Sequence, residues 1–485
     1  MKLRRFSSIA MFVFVLTGIF FAGSLAPTLT SAGEPMLPIV FVHGGAGSAA
    51  QYELQAMRWD SNNYPNLVTG IDRTSSSPTT LYPMLDAFFD EVMAETGDSQ
   101  IYVVAHSFGT TMMVGYLNNS PERSARVAKY INIDGAKGLN CPGNPVPVNC
   151  MNISQTGSLG PINVNFPQFQ HTQCVTAPES FAVQYKFFTG KEPKTTLVLP
   201  EPPGQVDIGG RVIFFPANTA AEGTTLQLWE VDGETGHRIS AVPKKVMVIG
   251  ADGEFGPINV NGKKHYEFTL IRTDVDYITH YYFQPFIRDN LLLRVLVAPV
   301  DSALVAHTPK GPDHTSVVIL RYFDYLTGAE SENDTLMVTT TSPAWDDDPV
   351  DPTPPTLNML SEPNIAPRAN KLGIHTGDFG IDKVSTLLRD DWFYAQAFQT
   401  GVDIWMPATE PPDGTITFTA VPRGDTSLPQ TINIPNWTSA DHRVLVQFNT
   451  YFQDINSWDD YKRAKFKHLW EWLRAKYGHN WGECK

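Results

Sequence analysis

One short stretch of the chain combines a nucleophile with the small residues that would let it act. The stretch is Ala105-His106-Ser107-Phe108-Gly109, which follows an apolar run at 101–104 and precedes a helical pattern at 110–117. A serine on a tight turn between a strand and a helix stands above the sheet edge, where its hydroxyl can attack a substrate carbonyl. Small residues flank such a turn because larger ones would not fit. The pattern therefore predicts that Ser107 is a catalytic nucleophile rather than a surface serine.

A nucleophilic serine needs a general base, and the base needs a carboxylate to orient it. A strand-like run at 127–133 ends in Asp134, and the carboxyl end of a strand is a common place for such a carboxylate. The first histidine after Asp134 is His171, in a loop before a helical pattern at 181–188. The order serine, acid, histidine is that of one large class of hydrolases. We therefore predict that His171 is the base and Asp134 its orienting acid, although Asp134 could instead cap a loop.

Acyl transfer also needs two N–H donors for the oxygen that becomes negative. The apolar run 37–42 is followed by His43-Gly44-Gly45-Ala46-Gly47, a turn whose glycines let the backbone approach a ligand closely. We predict that the backbone N–H groups of Gly45 and Phe108 form this oxyanion hole. The His43 side chain is expected to be structural rather than catalytic. The reaction requires no cofactor, and we predict no metal site.

These residues require a scaffold of alternating strands and helices. The apolar residues of segment 81–95 lie on one helical face, as in a crossover helix that covers a parallel sheet. The fold class predicted is α/β, with an α/β-hydrolase domain at 33–195. Short alternating runs beyond residue 196 predict a β-rich sandwich or barrel-like domain at 196–343. An acidic, proline-rich linker at 344–355 then precedes a second β-rich module at 356–485.

The last two regions leave alternatives open. Asp346-Asp347-Asp348 in the linker could bind calcium, but a solvated acidic linker is the simpler interpretation. The segment 457–477 has a broad apolar face and predicts a C-terminal helix. This helix could dock on the protein, or it could meet lipid or polymer, since lysines and arginines flank the face.

Composition and the N-terminus indicate the compartment. Lys2, Arg4 and Arg5 precede an apolar stretch and small residues ending at Ala32, which predicts a signal peptide at 1–32 and a secreted protein, extracellular or periplasmic. An uncleaved anchor helix is the alternative. The net charge of −14 makes nucleic acid an improbable partner.

The cysteine count agrees with an oxidising compartment. The four cysteines, an even number, predict two disulfides. Cys141–Cys150 closes a short loop and is the favoured pair, which leaves Cys174 with Cys484; free buried thiols are the alternative.

The chain resembles a family of two-domain long-chain lipases that includes the one from Archaeoglobus. The resemblance covers residues 37–325 and rests on the turn that begins at His43, on Ser120-Pro121-Glu122-Arg123 leading to Asp134, and on His171-Thr172-Gln173. Further stretches are Pro178-Glu179-Ser180-Phe181, Tyr266-Glu267-Phe268 and Pro285-Phe286-Ile287-Arg288. The resemblance implies the same serine, acid and histidine at Ser107, Asp134 and His171.

Two departures from the family matter for the substrate. The family has a larger residue where this chain has Gly45, and it has a long helical lid for which residues 55–99 are too short. The predicted function is that of a carboxylic ester hydrolase, either a lipase or a carboxylesterase. Its expected substrate is lipid or another water-insoluble ester, and the protein could contact the interface between that substrate and water. An extracellular polyester depolymerase is the first alternative. The second is a secreted polymer-binding protein that has lost catalysis.

Overall fold

The computed structural model describes residues 34–169, 171–306, 308, 310–312, 314–320, 335–340, 357–358, 374–375, 388–389, 399–421 and 429–449. The predicted signal peptide, the acidic linker, the C-terminal helix and Cys484 lie outside the described residues. No helix among the described residues is both long and apolar enough to cross a membrane.

The N-terminal part of the chain forms a parallel six-stranded sheet. Its strands are β1 (Ile39–Val42), β2 (Val68–Ile71), β3 (Ile101–His106), β4 (Val127–Ile133), β5 (Asn149–Ser154) and β6 (Ile162–Asn165), in the spatial order β2-β1-β3-β4-β5-β6. All neighbouring pairs are parallel. β1 and β3 are buried throughout, as central parallel strands covered on both faces must be.

Helices cover both faces of this sheet. They are α1 (Glu53–Ser61), α2 (Pro78–Thr96), α3 (Phe108–Asn119), α4 (Pro121–Ala125), α5 (Gln173–Thr176) and α6 (Pro178–Thr189). On one face, Trp59 of α1 packs on Phe181 and Tyr185 of α6. On the other face, Leu81 and Leu85 of α2 are fully buried, as the helical periodicity predicted, and Phe89 rather than Phe88 is fully buried beside them. The sheet order, the helical layers and the strand–turn–helix at Ser107 confirm the α/β-hydrolase fold.

The rest of the described chain is rich in β-structure, as predicted. Its strands are β7 (Val206–Phe214), β8 (Thr225–Val231), β9 (Lys245–Val248), β10 (Glu254–Val260), β11 (His265–Ile271), β12 (Ile278–Phe283), β13 (Asn290–Val297), β14 (His314–Leu320), β15 (Thr335–Thr340), β16 (Leu357–Asn358), β17 (Ile374–His375), β18 (Leu388–Arg389), β19 (Gln399–Pro407), β20 (Thr415–Val421), β21 (Gln430–Pro435) and β22 (His442–Gln447), with one short helix, α7 (Ala303–Ala306).

These strands form three sheets. A three-stranded sheet has the order β10-β7-β13, a nine-stranded sheet the order β18-β17-β19-β14-β22-β12-β11-β8-β9, and a four-stranded sheet the order β16-β15-β20-β21. The first two sheets enclose one apolar core that includes Val212, Phe268 and Leu445. β22 lies between β12 and β14 and is parallel to both. The two regions predicted as successive β-modules therefore share one sheet.

Buried polar contacts join this β-rich part to the catalytic domain. Asp72, at the end of β2, accepts from Arg294 Nε at 2.7 Å and from Arg211 Nη1 at 2.9 Å. Burial opposes ionisation of Asp72, but the two guanidinium groups outweigh it and hold its pKa below the ordinary value. The two parts of the molecule therefore meet through an ion pair, Asp72 and Arg294, that is almost completely buried, with the partly exposed Arg211 beside it.

Candidate functional site

Ser107 occupies the one position between the end of β3 and the start of α3. Its φ of 51° and ψ of −126° lie where residues with a side chain rarely occur. Such strain costs about 1–3 kcal/mol and persists only where the surroundings impose it. Here the Ser107 N–H donates to Ile133 O at 2.9 Å, and the Ser107 carbonyl accepts from Thr110 N–H at 3.0 Å. The turn therefore holds the serine hydroxyl at the carboxyl edge of the sheet.

Three glycines allow the backbone segments around Ser107 to approach one another. A Cβ on Gly44 would lie 2.9 Å from Ser107 Cβ. A Cβ on Gly109 would collide with the carbonyl oxygens of Val42 and His43, and one on Gly135 would collide with Thr110 Oγ1. The three glycines thus pack the serine turn against the loops that follow β1 and β4.

The structure brings the three predicted catalytic residues into one hydrogen-bonded chain. Ser107 Oγ is 2.8 Å from His171 Nε2, and His171 Nδ1 is 2.5 Å from Asp134 Oδ2. Ser107 and Asp134 follow neighbouring strands, whereas His171 comes from the loop before α5. This geometry allows the imidazole to take a proton from the serine hydroxyl while the carboxylate holds the ring.

Asp134 is held as a carboxylate. Burial alone would raise the pKa of Asp134. Hydrogen bonds from His171 and from the Gln155 N–H outweigh burial, so the pKa lies below its ordinary value. An ionised acid is what the adjacent imidazole needs if the ring is to become positively charged.

The predicted oxyanion donors, Gly45 and Phe108, lie on either side of Ser107. Within the described residues, neither N–H group has an intramolecular acceptor. The Phe108 N–H opens α3, a helix of 12 residues, so the partial positive charge of the helix end adds to its effect. A Cβ built on Gly45 would meet nothing within 4 Å, so its turn borders open space. The two donors are therefore available to an anionic oxygen.

The side chains of His43 and Arg73 hold the turn before Gly45 in place. The Gly44 carbonyl accepts from His43 Nδ1 at 2.8 Å and from Arg73 Nη2 at 2.5 Å. Arg73 Nε also donates to the His43 carbonyl at 3.2 Å. Burial and the charge of Arg73 lower the pKa of His43 to about 3, so the ring is neutral. His43 is thus structural, as predicted, whereas Arg73 lies in a loop without any sequence pattern that marks it.

His106 and Gln51 link the three loops of the site. Gln51 Nε2 is 2.8 Å from His106 Nδ1, and Gln51 Oε1 accepts weakly from the Gly44 N–H at 3.4 Å. His106 Nε2 in turn lies 3.0 Å from the carbonyl oxygen of His171. His106 occupies the variable position before the serine, which is the one signal in the sequence that could have drawn attention to it.

The site is open to solvent. The side chain of His171 is 48% exposed, and Phe108 is 42% exposed. The segment predicted to be too short for a lid is occupied by α1, β2 and α2. A separate cavity of about 500 Å³ lies between the edge strand β2, α2 and the three-stranded sheet. Ser107, Asp134 and His171 do not line it.

One predicted disulfide is present near the site. Cys141 and Cys150 are bonded, which confirms that pairing, and the bond ties the loop after Asp134 to β5. Cys174 is buried at the start of α5, and its pairing with Cys484 stays a prediction. In the part of the chain that the structure describes, no group of three or more His, Cys, Asp or Glu residues is arranged to hold a metal ion.

Comparisons with known proteins give two family matches and several distant structural likenesses. Residues 204–300 match the model of the lipase C-terminal domain family, and residues 303–452 match a second C-terminal domain model. The two matches meet near residue 300, within the region predicted as a single domain at 196–343. A search of curated proteins gave no match.

Three solved structures illustrate the structural likenesses. A gene product of Listeria innocua is 12% identical over 33% of this chain and 96% of its own, with a TM-score of 0.25. Lipase B of Aspergillus fumigatus is 13% identical over 33% of this chain and 54% of its own, with a TM-score of 0.26. Epoxide hydrolase A of Mycobacterium thermoresistibile is 19% identical over 22% of this chain and 35% of its own, with a TM-score of 0.18. This chain thus spans about half of the Aspergillus lipase.

These likenesses are too distant to carry an argument about activity. The α/β-hydrolase fold and the match of residues 204–300 to the lipase C-terminal domain together support a hydrolase.

Proposed function

We propose that this protein is a serine ester hydrolase that cleaves carboxylic esters of lipids through an acyl-enzyme. The observation that carries the proposal is the hydrogen-bonded chain from Ser107 Oγ through His171 to Asp134, set on a strained turn between β3 and α3. A histidine base beside the serine, oriented by a carboxylate, is the arrangement that makes a hydroxyl nucleophilic, and the strained turn holds that hydroxyl in position.

Each step of the reaction follows from these positions. Ser107 Oγ attacks the ester carbonyl carbon while His171 Nε2 takes the hydroxyl proton. The carbonyl oxygen becomes negative and accepts from the N–H groups of Gly45 and Phe108. The bond to the alcohol oxygen then breaks, and His171 gives its proton to the departing alcohol. Water attacks the acyl-enzyme, loses a proton to His171 and releases the acid, with Ser107 restored. Asp134 keeps the ring in place and stabilises its charged form.

Apolar residues at the carboxyl edge of the sheet support a water-insoluble substrate. Phe108 is 42% exposed after β3, and Leu139 is 90% exposed in the loop after β4. An exposed aromatic ring directly after the proposed nucleophile, and an exposed leucine in the next loop at the same edge of the sheet, suit an ester with a hydrocarbon portion. The match of residues 204–300 to the lipase C-terminal domain points the same way.

The openness of the site favours a second candidate substrate, an extracellular polyester. Among the described residues no lid covers His171, whose side chain is half exposed, so a polymer that extends beyond the site on both sides could still enter. Polyester hydrolysis uses the same chemistry and differs only in the shape of the substrate.

The test is the initial rate of hydrolysis of p-nitrophenyl esters from C2 to C16 by wild type, Ser107→Ala and the control Ser76→Ala. Ser76 is exposed in the loop before α2. We expect Ser107→Ala to lose at least about 10³-fold in kcat, Ser76→Ala to keep full activity, and both to unfold at the wild-type temperature. Unchanged hydrolysis by Ser107→Ala would overturn the proposal.

Substrate class is resolved by the same enzyme on three substrates. A maximum at C8 or longer, with hydrolysis of emulsified triglyceride, would support a lipase. A maximum at C2 to C6, with products released from polyester film, would favour the second candidate.

We also propose that the protein acts outside the cytoplasm. The N-terminal pattern at 1–32 and the Cys141–Cys150 disulfide support this, because structural disulfides persist in oxidising compartments. The mass of the protein recovered from the culture medium and periplasm of a secreting host tests it. A mature chain that begins after Ala32 is expected, and an unprocessed cytoplasmic chain would contradict the proposal.

A further inference from the structure

A side chain from the β-rich domain reaches into the turn that carries Gly45. Asn218 lies in the loop between β7 and β8 and is 1% exposed. Its Nδ2 donates to the Gly47 carbonyl at 2.8 Å and to the Arg73 carbonyl at 3.2 Å, and it lies 3.3 Å from His43 Nε2. All three partners belong to the catalytic domain, and two of them lie in the turn that begins at His43.

The loop around Asn218 is built to present this side chain. The Asn218 N–H donates to the Phe214 carbonyl at 2.8 Å, and the Phe214 N–H donates to the Thr219 carbonyl at 2.8 Å. Asn218 has a φ of 58°, in the left-handed region that asparagine adopts more readily than most residues with a side chain. The backbone hydrogen bonds of this loop therefore fix the position from which the Asn218 side chain extends.

The chemistry of the partners fixes the orientation of the amide. Gly47 and Arg73 offer carbonyl oxygens, which only accept, so Nδ2 rather than Oδ1 must face them. Within the described residues, the buried Oδ1 atom has no hydrogen-bond partner. The amide nitrogen, and not the amide oxygen, is therefore the atom that Asn218 presents to the catalytic domain.

Asn218 also acts on the peptide that offers the Gly45 N–H. His43 Nε2 accepts from the Arg73 N–H at 3.0 Å, so the neutral ring carries its proton on Nδ1. The Asn218 amide nitrogen lies 3.3 Å from the same His43 Nε2 and holds the Arg73 carbonyl beside it. That Nδ1–H donates to the carbonyl of Gly44 at 2.8 Å. The Gly44 carbonyl and the Gly45 N–H belong to one peptide unit and point in opposite directions. Fixing the carbonyl therefore fixes the direction of the donor.

We propose that Asn218 is a positioning residue for the oxyanion turn, so that the β-rich domain completes the catalytic site. The inference rests on the proposed function and deepens it. Asn218 does not touch the substrate; it holds the carbonyls of Gly47 and Arg73 and lies against His43 Nε2. A peptide between two glycines, Gly44 and Gly45, would otherwise change orientation at little cost.

The test compares Asn218→Gly, Asn218→Asp and a matched control, Asn290→Ala. Glycine keeps the left-handed backbone and removes the amide, whereas aspartate keeps the shape and replaces the donor by an acceptor. Asn290 is an asparagine of the same domain that also reaches into the catalytic domain, where its Nδ2 donates to Glu53 at 3.0 Å. Its partner lies in α1 and not in the turn that begins at His43.

Three measurements are made on each variant: kcat and KM for p-nitrophenyl butyrate, inhibition by phenylboronic acid, and the pH dependence of kcat/KM. The boronic acid forms a tetrahedral adduct on serine whose oxygen occupies the oxyanion position. We expect both Asn218 variants to lose roughly 10- to 100-fold in kcat, with KM within about threefold of wild type, because the turn acts mainly in the transition state. Inhibitor binding should weaken in parallel. The midpoint of the pH profile should stay in place, since His171 is unchanged.

Several results would overturn the inference. They are full kcat in folded Asn218→Gly, a fall in kcat without weaker inhibitor binding, and an equal fall in Asn290→Ala. If Asn218→Asp does not fold, Asn218→Gly supplies the same comparison.

Failure of the proposed function would look different. Labelling of wild-type Ser107 by a fluorophosphonate probe tests the nucleophile itself. Wild type without labelling and without hydrolysis would contradict both proposals, whereas normal labelling with full activity in the Asn218 variants would contradict this inference alone.

Discussion

The ring of His106 holds the loop that carries His171. His106 Nε2 lies 3.0 Å from the carbonyl oxygen of His171, and the two ring centroids are 4.5 Å apart. Burial, together with the charge of His171, lowers the pKa of His106 to about 3, so the ring is neutral. Since the His171 carbonyl can only accept, Nε2 carries the proton, and Nδ1 accepts from the Gln51 amide. A residue of β3 next to the serine therefore sets the position of the base loop.

Replacing His106 should change the rate more than the affinity. We expect His106→Leu to lower kcat by roughly 10- to 100-fold with little effect on KM, since the base loop loses its anchor. His106→Asn should recover much of the rate, because an asparagine amide also offers a donor and an acceptor. Steady-state kinetics on p-nitrophenyl butyrate would measure this. Equal rates in the leucine and asparagine variants would show that the hydrogen bond does not matter.

The two neighbouring glycines of the oxyanion turn should differ in their tolerance of a methyl group. In Gly44→Ala the new Cβ would lie 2.9 Å from Ser107 Cβ and 3.1 Å from His106 Nδ1, so we expect a loss of about 100-fold or more in kcat. In Gly45→Ala the Cβ would point into open space, and activity on short esters should stay within about threefold. Each variant serves as the control for the other. A severe loss in Gly45→Ala alone would contradict the assigned geometry.

Replacing Gly160, beside the disulfide, should lower the free energy of unfolding by more than its positive φ alone would explain. A Cβ on Gly160 would lie 2.6 Å from Cys141 Sγ and 2.7 Å from Cys150 Sγ. Gly204 also has a positive φ, 81° against 72°, but has open space around it. We expect Gly204→Ala to lower the free energy of unfolding by about 1 kcal/mol and Gly160→Ala by about 1–3 kcal/mol more. Urea unfolding measures both, and equal losses would contradict the steric explanation.

Stability should depend on pH in two stages. His43 and His106 have pKa values lowered to about 3, so the folded state resists the protons that the unfolded state binds below pH 6.5. Each of these two histidines lowers the free energy of unfolding by about 1.4 kcal/mol per pH unit as the pH falls from 6.5 to 3. Burial raises the pKa values of Glu53 and Glu201 to about 7, so these groups offset that loss down to about pH 4.5. Below that pH the two glutamates no longer offset the histidines. Glu267 then adds to the loss of stability, because hydrogen bonds from Arg238 and His280 outweigh burial and lower its pKa to about 2.

We therefore expect the free energy of unfolding to fall less steeply from pH 6.5 to 4.5 than from pH 4.5 to 3. The control is Glu53→Gln, which removes one of the offsetting groups. It should be more stable than wild type at pH 7, and the difference should shrink by about 1.4 kcal/mol per pH unit to near zero at pH 4.5. Urea unfolding at half-unit pH steps makes the comparison. Parallel curves for the two proteins would contradict the role of Glu53.

The sequence allowed the fold and the three central residues to be predicted because their signals are local. The apolar runs predicted as strands are β1, β3 and β4, and each is followed directly by a residue of the site. Parallel strands bring their carboxyl ends to the same edge of the sheet. His171 was found by chain order, and the structure places it against Ser107. Their catalytic roles stay predictions until the variants are measured.

The contacts that the sequence did not reveal join residues far apart in the chain. Asn218 meets Gly47 across 171 positions, and Arg73 reaches the Gly44 carbonyl across 29. Neither residue has a periodic pattern or a characteristic spacing, because side-chain hydrogen bonds between loops leave no trace in hydrophobic periodicity. The shared nine-stranded sheet escaped prediction for the same reason, since a strand's pattern does not identify its neighbour.

The place of β22 between β12 and β14 has a consequence for how the chain is made. β12 ends at Phe283, but the strand beside it is complete only at Gln447. During synthesis the parallel six-stranded sheet can close early, while the nine-stranded sheet waits until nearly the whole chain has emerged. Pairing over such a distance is slow, and the waiting edge of β12 is open to wrong partners. Any shortened form that ends before residue 442 would leave this edge of β12 permanently unpaired and should tend to aggregate.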